Sequence, residues 1–498
     1  MLKRLFQQSG IYTLASVAGK ASGFVVTLYY VDPSYLSKAD FGTFDYLLSV
    51  LMIALLVAGA GLPLGILRFA TSREVPEADR AAVPATALLI AFVASAAVAS
   101  AAWTAAPALA EVLLRDAARA GLVRTLALYI VCKTVADVAY QELRRRERPG
   151  LYVAMTAAEM LLQTAAVVVF LVVFRLGLAG ILYGYLAAAA VLATVSTGVL
   201  LARVERRVSW ALVRPMIVFG LPLVVSGMAG RFLYAGDRFV ILHFLTPDDN
   251  AVYAWASRFG GLVNAFLVQS FQLAFTVLGL QALGQGGAPA LHRRAFRHFS
   301  VVAGFAVLGL ALFVNDASRI VTPDPDYANV SGLVLLIAGG FGWYGLYFVT
   351  VNVLFAAGRT RAVAVAVGAA AALNAGLNWV LVPRYGIAGS AFATLVAYVA
   401  LSVWTGVSAE RISRANYPWR VPVLLSALVG GLWAVGIPTA AWPLAERLAA
   451  RAALLALYVP ALLALGVYGR ADVDAGRGAV RAFQARRGGL PPEDAEAR

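Results

Sequence analysis

The sequence predicts an all-α protein that crosses a membrane about fourteen times, as two six-helix lobes followed by two further helices. Three observations lead there. Of 498 residues, 61% are hydrophobic and only 13% charged, with a mean hydropathy of +0.79; a soluble protein would carry roughly a quarter charged residues. Apolar runs of about 20 residues, long enough to span a bilayer as helices, recur along the whole chain. Finally, two nearly identical turns, FRLGLAG at Phe174–Gly180 and PRYGIAG at Pro383–Gly389, stand 209 residues apart, each between two long apolar runs.

The spans are expected to begin near Gln8, Phe41, Val83, Leu122, Leu151, Leu178, Met216, Ala251, Phe296, Val330, Ala362, Ile387, Val421 and Arg451. Met1–Arg4 and the run that follows read as a retained first span rather than a cleaved signal. Most cationic residues in the connections fall on one side, among them Lys3, Arg4, Arg73, Arg80, Arg144–Arg146, Arg148, Arg206, Arg207, Arg293, Arg294 and the arginines of the tail. Far fewer lie opposite, including Lys38, Arg115, Arg119, Arg175, Arg384 and Arg447. The positive-inside rule then puts both termini in the cytoplasm, and the recurrent apolar runs read as a polytopic protein of inner-membrane type.

The repeat extends beyond the turns. Asp40–Phe44 (DFGTF) opens span two and Asp249–Tyr253 (DNAVY) opens span eight, again 209 residues apart. Gly10 and Gly220 are 210 apart, and Gln163 and Asn374 are 211 apart. Six spans per repeat preserve orientation, so the lobes, 1–210 and 211–412, should be related by an axis along the membrane normal, with substrate near the midplane between them. Spans thirteen and fourteen (413–468) have no partner in the repeat, and 469–498 reads as a polar, disordered cytoplasmic tail. The repeated turn itself reads as a tight outer hairpin whose glycines permit the turn and close helix approach.

Several function classes are disfavoured. The net charge of +15 is scattered through short connections, with no basic domain to grip nucleic acid. The single cysteine, Cys132, lies in an apolar run, three histidines show no metal-ligand spacing, and no GxxxxGK[ST] loop occurs. No metal, cofactor or catalytic residue is expected.

Charges inside the spans are the informative ones, because a charge in the bilayer is costly unless it faces protein or water. In span one, Ser9, Thr13, Ser16, Lys20, Gly23 and Thr27 share a face at helical spacing. Span seven repeats the pattern with Gly227, Arg231, Tyr234 and Arg238, whose two guanidiniums should lie about 10 Å apart on one face. Arg231 occupies nearly the repeat-equivalent position of Lys20. Lys20, Arg231 and Arg238, with Arg258 and Lys133, are the candidate wall of a central cationic cavity for an anion rich in oxygens, pyrophosphate above all. The competing reading is pairing with acids: Arg238 with Asp237, and Lys133 with Asp137 at i,i+4. Asp137, Glu159 and Asp237 are candidates for proton or ion coupling, and internal salt bridges explain them equally well. Tyr140, Gln163 and Tyr234 are candidate sugar contacts, Asn374 and Asn378 candidate helix–helix bonds, and Pro63 and Pro222 candidate kinks.

SGIYTLASVAGKASGFVVTLYYVDPSYLSKADFGTFDYL, followed by GAGLPLGILRFA, resembles the opening of bacterial polysaccharide (O-antigen) repeat-unit flippases of the multidrug/oligosaccharidyl-lipid/polysaccharide exporter superfamily. GLPLVVSGMAGRFLYAGDRFVILHFL, AVYAWASRF and LNAGLNWVLVPRYGIAGSAFATL resemble the second-lobe counterparts, so the likeness covers about residues 5–410. It implies a V-shaped, alternating-access transporter rather than an enzyme. The implied cargo is an undecaprenyl-pyrophosphate-linked oligosaccharide moved from the cytoplasmic to the outer leaflet, with membrane lipids and a polysaccharide polymerase and export machinery as partners. A proton or sodium gradient, or the membrane potential, would drive it. The alternatives are a flippase for lipid II or another phospholipid-linked precursor, a cation or drug antiporter of the same superfamily, and a membrane glycan enzyme. The short outer connections argue against the last.

Overall fold

A computed structural model of the chain describes residues 25–468, apart from 74, 146–148, 203, 284–287 and 323. The described residues form helices and connections only. Residues 25–30 end a first helix; α1 (Lys38–Ala58) and α2 (Leu62–Thr71) make one bent span, and α3 (Glu77–Thr104) the next. The short α4 (Ala106–Leu114) precedes α5 (Ala120–Arg145), α6 (Pro149–Val168) and α7 (Gly177–Leu201). The second half begins with α8 (Trp210–Ala235) and α9 (Asp237–Phe244), then α10 (Pro247–Leu262), which passes through a π-helical turn into α11 (Gln269–Leu283). It continues with α12 (Ala288–Val321), the single turn α13 (Pro325–Ala328), α14 (Ser331–Ala356) and α15 (Thr360–Ser413), and closes with α16 (Arg420–Gly436) and α17 (Leu444–Ala464).

Among the described residues, eleven helices are long and apolar enough to cross a membrane. One of them, the 54-residue α15, is two helices joined at Gly386. The first expected span falls almost wholly outside the described residues, as does the tail at 469–498.

The two halves repeat in detail. Gly177 and Gly386, 209 residues apart, both hold positive φ, 55° and 60°, and no atom stands near where a Cβ would sit. Backbone conformation is what calls for glycine there. Three residues on, Gly180 and Gly389 are required by contact instead: a Cβ would come within 2.7 Å of the Phe170 carbonyl oxygen and 2.5 Å of the Leu381 carbonyl oxygen. The turns match at 209 but the preceding helices at 211, so the first copy carries two additional residues. A π-helical segment at Val169–Val173 takes up part of them, as such bulges do.

Helix starts are repeated as well. Ser37 caps α1, accepting from the Asp40 N–H at 3.1 Å, and Thr246, 209 residues later, caps α10 with a reciprocal bond to Asp249. These two helices pack against each other, and repeat-equivalent residues meet. A Cβ on Gly42 would lie 2.9 Å from the nitrogen of Ala251, its own equivalent, and 1.8 Å from the Pro247 carbonyl oxygen. Only positions next to a two-fold axis contact their own copies, so this seam marks the axis relating the halves. Asn250 donates to the Gly42 carbonyl at 2.7 Å, and Phe44 and its equivalent Tyr253 are buried beside it.

The end of the bundle that the charge bias assigns to the outside is further tied across the halves. Lys38 pairs with Asp324 at 3.5 Å and with Asp326, while Arg115 donates to the carbonyls of Leu242 and His243, both at 3.0 Å. Pro63 departs from its expected role. It lies in the first turn of α2, behind a left-handed break at Ala60 and Gly61, so it starts a helix; Pro222 is inside α8.

Gly42→Ala should lose folded protein, because the methyl would meet backbone on the facing helix. Gly177→Ala, strained only in φ, should cost about 1–2 kcal/mol. Thermal unfolding of the two purified variants checks the contrast, and equal midpoints would contradict it.

Candidate functional site

The face of α1 carrying Asp45, Ser49 and Met52 looks across to α8, α9 and α10. Two cavities open there and share Met52 in their walls. The outer one, about 180 Å³, is lined by Asp45, Tyr234, Asp237, Arg238, Tyr253 and Arg258, with Tyr398 behind. The inner one, about 330 Å³, is lined by Gly61, Pro63, Thr134, Asp137 and Arg231. The expected polar face of span seven therefore does look between the halves.

Its two arginines part company. The helix is interrupted between Ala235 and Asp237, where the Gly236 N–H donates to Phe232 O at 2.7 Å, and the guanidiniums line different cavities instead of one continuous stripe. Arg238 is held tightly. Its Nε lies 3.1 Å from Asp45 Oδ2 and its Nη1 2.7 Å from Asp237 Oδ1. The Tyr253 hydroxyl donates to the other Asp237 oxygen at 2.5 Å, and its ring lies 5.1 Å under the guanidinium. All three charged side chains are largely buried. The pairing considered for Arg238 and Asp237 is present, with Asp45 as a second partner from the other half of the chain.

Lys133 is likewise engaged. Its Nζ sits 2.7 Å from Asp137 on the next turn of α5 and 2.8 Å from Glu159 on α6, with the Tyr140 ring at 5.5 Å. The three acids expected as coupling candidates, Asp137, Glu159 and Asp237, are thus all in ion pairs. Arg231 is exposed to its cavity and Arg258 is half-buried in the other; neither forms an ion pair with a described residue. Lys20 lies outside the described residues.

Among the described residues, Lys133, Arg231, Arg238 and Arg258 therefore face Asp45, Asp137, Glu159 and Asp237, and the formal charges balance. The uniformly cationic wall expected from the sequence narrows to Arg231 and Arg258. Tyr234 borders the outer cavity, whereas Tyr140 is buried against Lys133. Asn374 donates to Thr394 at 3.2 Å and Ser390 to Asn378 at 2.7 Å, joining the two helical parts of α15 as expected. Asp45 escaped the sequence reading, although an acid at helical spacing from Ser49 and Met52 in an apolar run was a usable signal.

A membrane-spanning bundle of two repeat-related halves, with charged cavities at their junction, defines the class of protein: a transporter fold. A profile of the polysaccharide biosynthesis protein family matches residues 35–311, more than half of the chain, and the chain belongs to that family. Solved structures agree on the fold. The lipid II flippase MurJ in an inward closed conformation matches with a TM-score of 0.73 at 11% identity, over 90% of this chain and 97% of that one. An inward-facing multidrug-resistance MATE transporter of the MOP superfamily gives 0.63 at 14% identity, over 82% and 95%. A MOP-superfamily transporter from Pyrococcus furiosus gives 0.60 at 14%, over 82% and 96%. No individually curated protein matches the sequence significantly.

Removing one partner of a buried ion pair leaves a charge unmatched, on the order of 3 kcal/mol. Asp45→Ala and Arg238→Ala should each lower the unfolding midpoint. The double variant should be less destabilised than the two losses summed, and strict additivity would contradict the pairing.

Proposed function

We propose that this chain is a flippase that carries an undecaprenyl-pyrophosphate-linked oligosaccharide from the cytoplasmic to the outer leaflet by alternating access of its two halves. The observation that carries the reading is the pair of guanidiniums, Arg231 and Arg258, lining cavities at the junction without an ion-pair partner among the described residues, in a member of a polysaccharide biosynthesis family. A guanidinium in a low-dielectric cavity is suited to the several oxygens of a diphosphate. Lys20 would supply a further cation from the first span. Tyr234 offers aromatic and hydroxyl surface to sugars. The lipid tail would stay in the bilayer, and the delivered unit would then be open to a polymerase on the outer face.

Arg238 and Lys133 serve a different purpose in this account, holding helices together through their acids. Each group has two carboxylates for one cation, so either has a carboxylate to spare for taking up a proton during a cycle. The membrane potential also favours outward movement of an anionic head, by about 2.3 kcal/mol per charge per 100 mV.

A second reading, transport of lipid II or another phospholipid-linked precursor, is supported by the fold shared with the lipid II flippase. Proteoliposomes separate the two. Labelled undecaprenyl-pyrophosphate oligosaccharide should cross between leaflets with wild type, faster under an inside-negative potential, and at least about tenfold slower with Arg231→Ala or Arg258→Ala. Movement of lipid II alone would favour the second reading. Failure of both lipids, alongside gradient-driven cation efflux, would refute the flippase.

A further inference from the structure

A separate charged cluster lies away from the cavities between the halves, at the outer end of the bundle where α17, which has no repeat partner, meets α12. Arg447 and Arg451, one turn apart on α17, both turn to Asp316 on α12. Arg447 Nε is 2.7 Å from Asp316 Oδ1, close enough for an ion pair although not aligned as a hydrogen bond, and Arg451 Nη1 bonds Asp316 Oδ2. Their other contacts are neutral: Arg451 Nε donates to Thr439 Oγ1 at 3.2 Å, and Arg447 Nη1 to the carbonyls of Ala440 and Trp442 at 3.1 and 3.3 Å. The side chains of Arg447, Arg451 and Asp316 are only 11%, 5% and 8% exposed.

Two cations thus share one carboxylate away from water. Arg319, one turn along α12 from Asp316, adds positive charge nearby, and the neighbouring acid Glu446 is exposed and pairs with no described residue. The cluster carries one surplus positive charge, and a buried unmatched charge calls for a counterion. Space for one is present. Arg451 lines a cavity of about 200 Å³ whose polar rim is Asn315, Asn329 and Ser331 and whose apolar wall is Leu312, Trp433 and Ile437. No described residue accepts from Arg451 Nη2.

The apolar wall continues onto the outer surface of the bundle, where Ile437, Trp442 and Ile320 are exposed. That is the composition of a surface facing lipid near the headgroup level, where tryptophans collect. We propose that this cavity binds a phosphate group, the head of an anionic phospholipid of the outer leaflet, with its acyl chains lying along Trp433 and Ile437. A phosphodiester carries a single negative charge, which matches the surplus, and its oxygens suit a guanidinium flanked by amide and hydroxyl donors. The lipid would fasten α16 and α17, which have no repeat partner, to α12.

The test uses the full chain, purified in detergent and stripped of lipid. Its unfolding midpoint is followed while phosphatidylglycerol or inorganic phosphate is titrated, and retained lipids are counted by native mass spectrometry. Phosphatidylglycerol should stabilise wild type saturably, and its apparent affinity should fall about tenfold in Arg451→Gln and in Asn329→Leu. Asn329 is exposed and outside the ion pairs, so Asn329→Leu remains informative should Arg451→Gln fail to fold. Stabilisation that survives unchanged in the variants that fold would overturn the site. Equal stabilisation by inorganic phosphate would overturn the lipid assignment and leave a site for soluble phosphate.

Discussion

The structure is organised by the difficulty of burying charge inside a bilayer. An ionised side chain among apolar helices must meet an opposite charge, a polar cavity or the membrane surface. Arg238 meets Asp45 and Asp237, and Lys133 meets Asp137 and Glu159; the bond to Asp45 joins the two halves of the chain and the bond to Glu159 joins α5 to α6. These pairs act as rivets. Because breaking one strands a buried charge, they specify which helices stay together, even where an apolar replacement of the whole pair would be equally stable. Once they are accounted for, Arg231 and Arg258 stand out as the cations aimed into space, and the functional reading rests on that subtraction.

The second organising feature is the seam at the two-fold axis. Ser37 with Thr246, and Gly42 with Ala251, are equivalent pairs that place α1 and α10 back to back. Gly42 makes the contact intimate, since it brings backbone to backbone with no side chain between them. The ion pair of Arg238 with Asp45 lies just inside this seam, so it too crosses from one half to the other. Alternating access in such a frame means rotation of one half against the other. In the proposed cycle, the junction that bears the charged cavities would be the part whose geometry changes.

Much of this was legible in the sequence. Apolar runs gave the helices because length and hydropathy alone decide whether a segment can span. The turns at Gly177 and Gly386 were legible because a left-handed residue restricts identity strongly, so the repeat survived there as letters. Partners were harder to see. Asp45 and Arg238 are 193 residues apart, and no helical spacing connects them. Glu159 was visible as an intramembrane acid, but its cation lies on a neighbouring helix. The split of Arg231 from Arg238 was hidden because Gly236 keeps helical φ and ψ while interrupting the span, and Pro63 looked like a kink when it is the start of a helix. Periodicity reports which face a residue occupies, not which helix comes to meet it.

The central claim is that the intramembrane cations divide into structural and ligand-facing sets. Equilibrium binding of a polyprenyl diphosphate to the purified chain tests it most directly, comparing Arg231→Met/Arg258→Met with Arg238→Met/Asp45→Asn. The account predicts binding weakened by at least about tenfold in the first variant and nearly unchanged in the second. Binding lost with the Arg238–Asp45 pair and retained without Arg231 and Arg258 would contradict it.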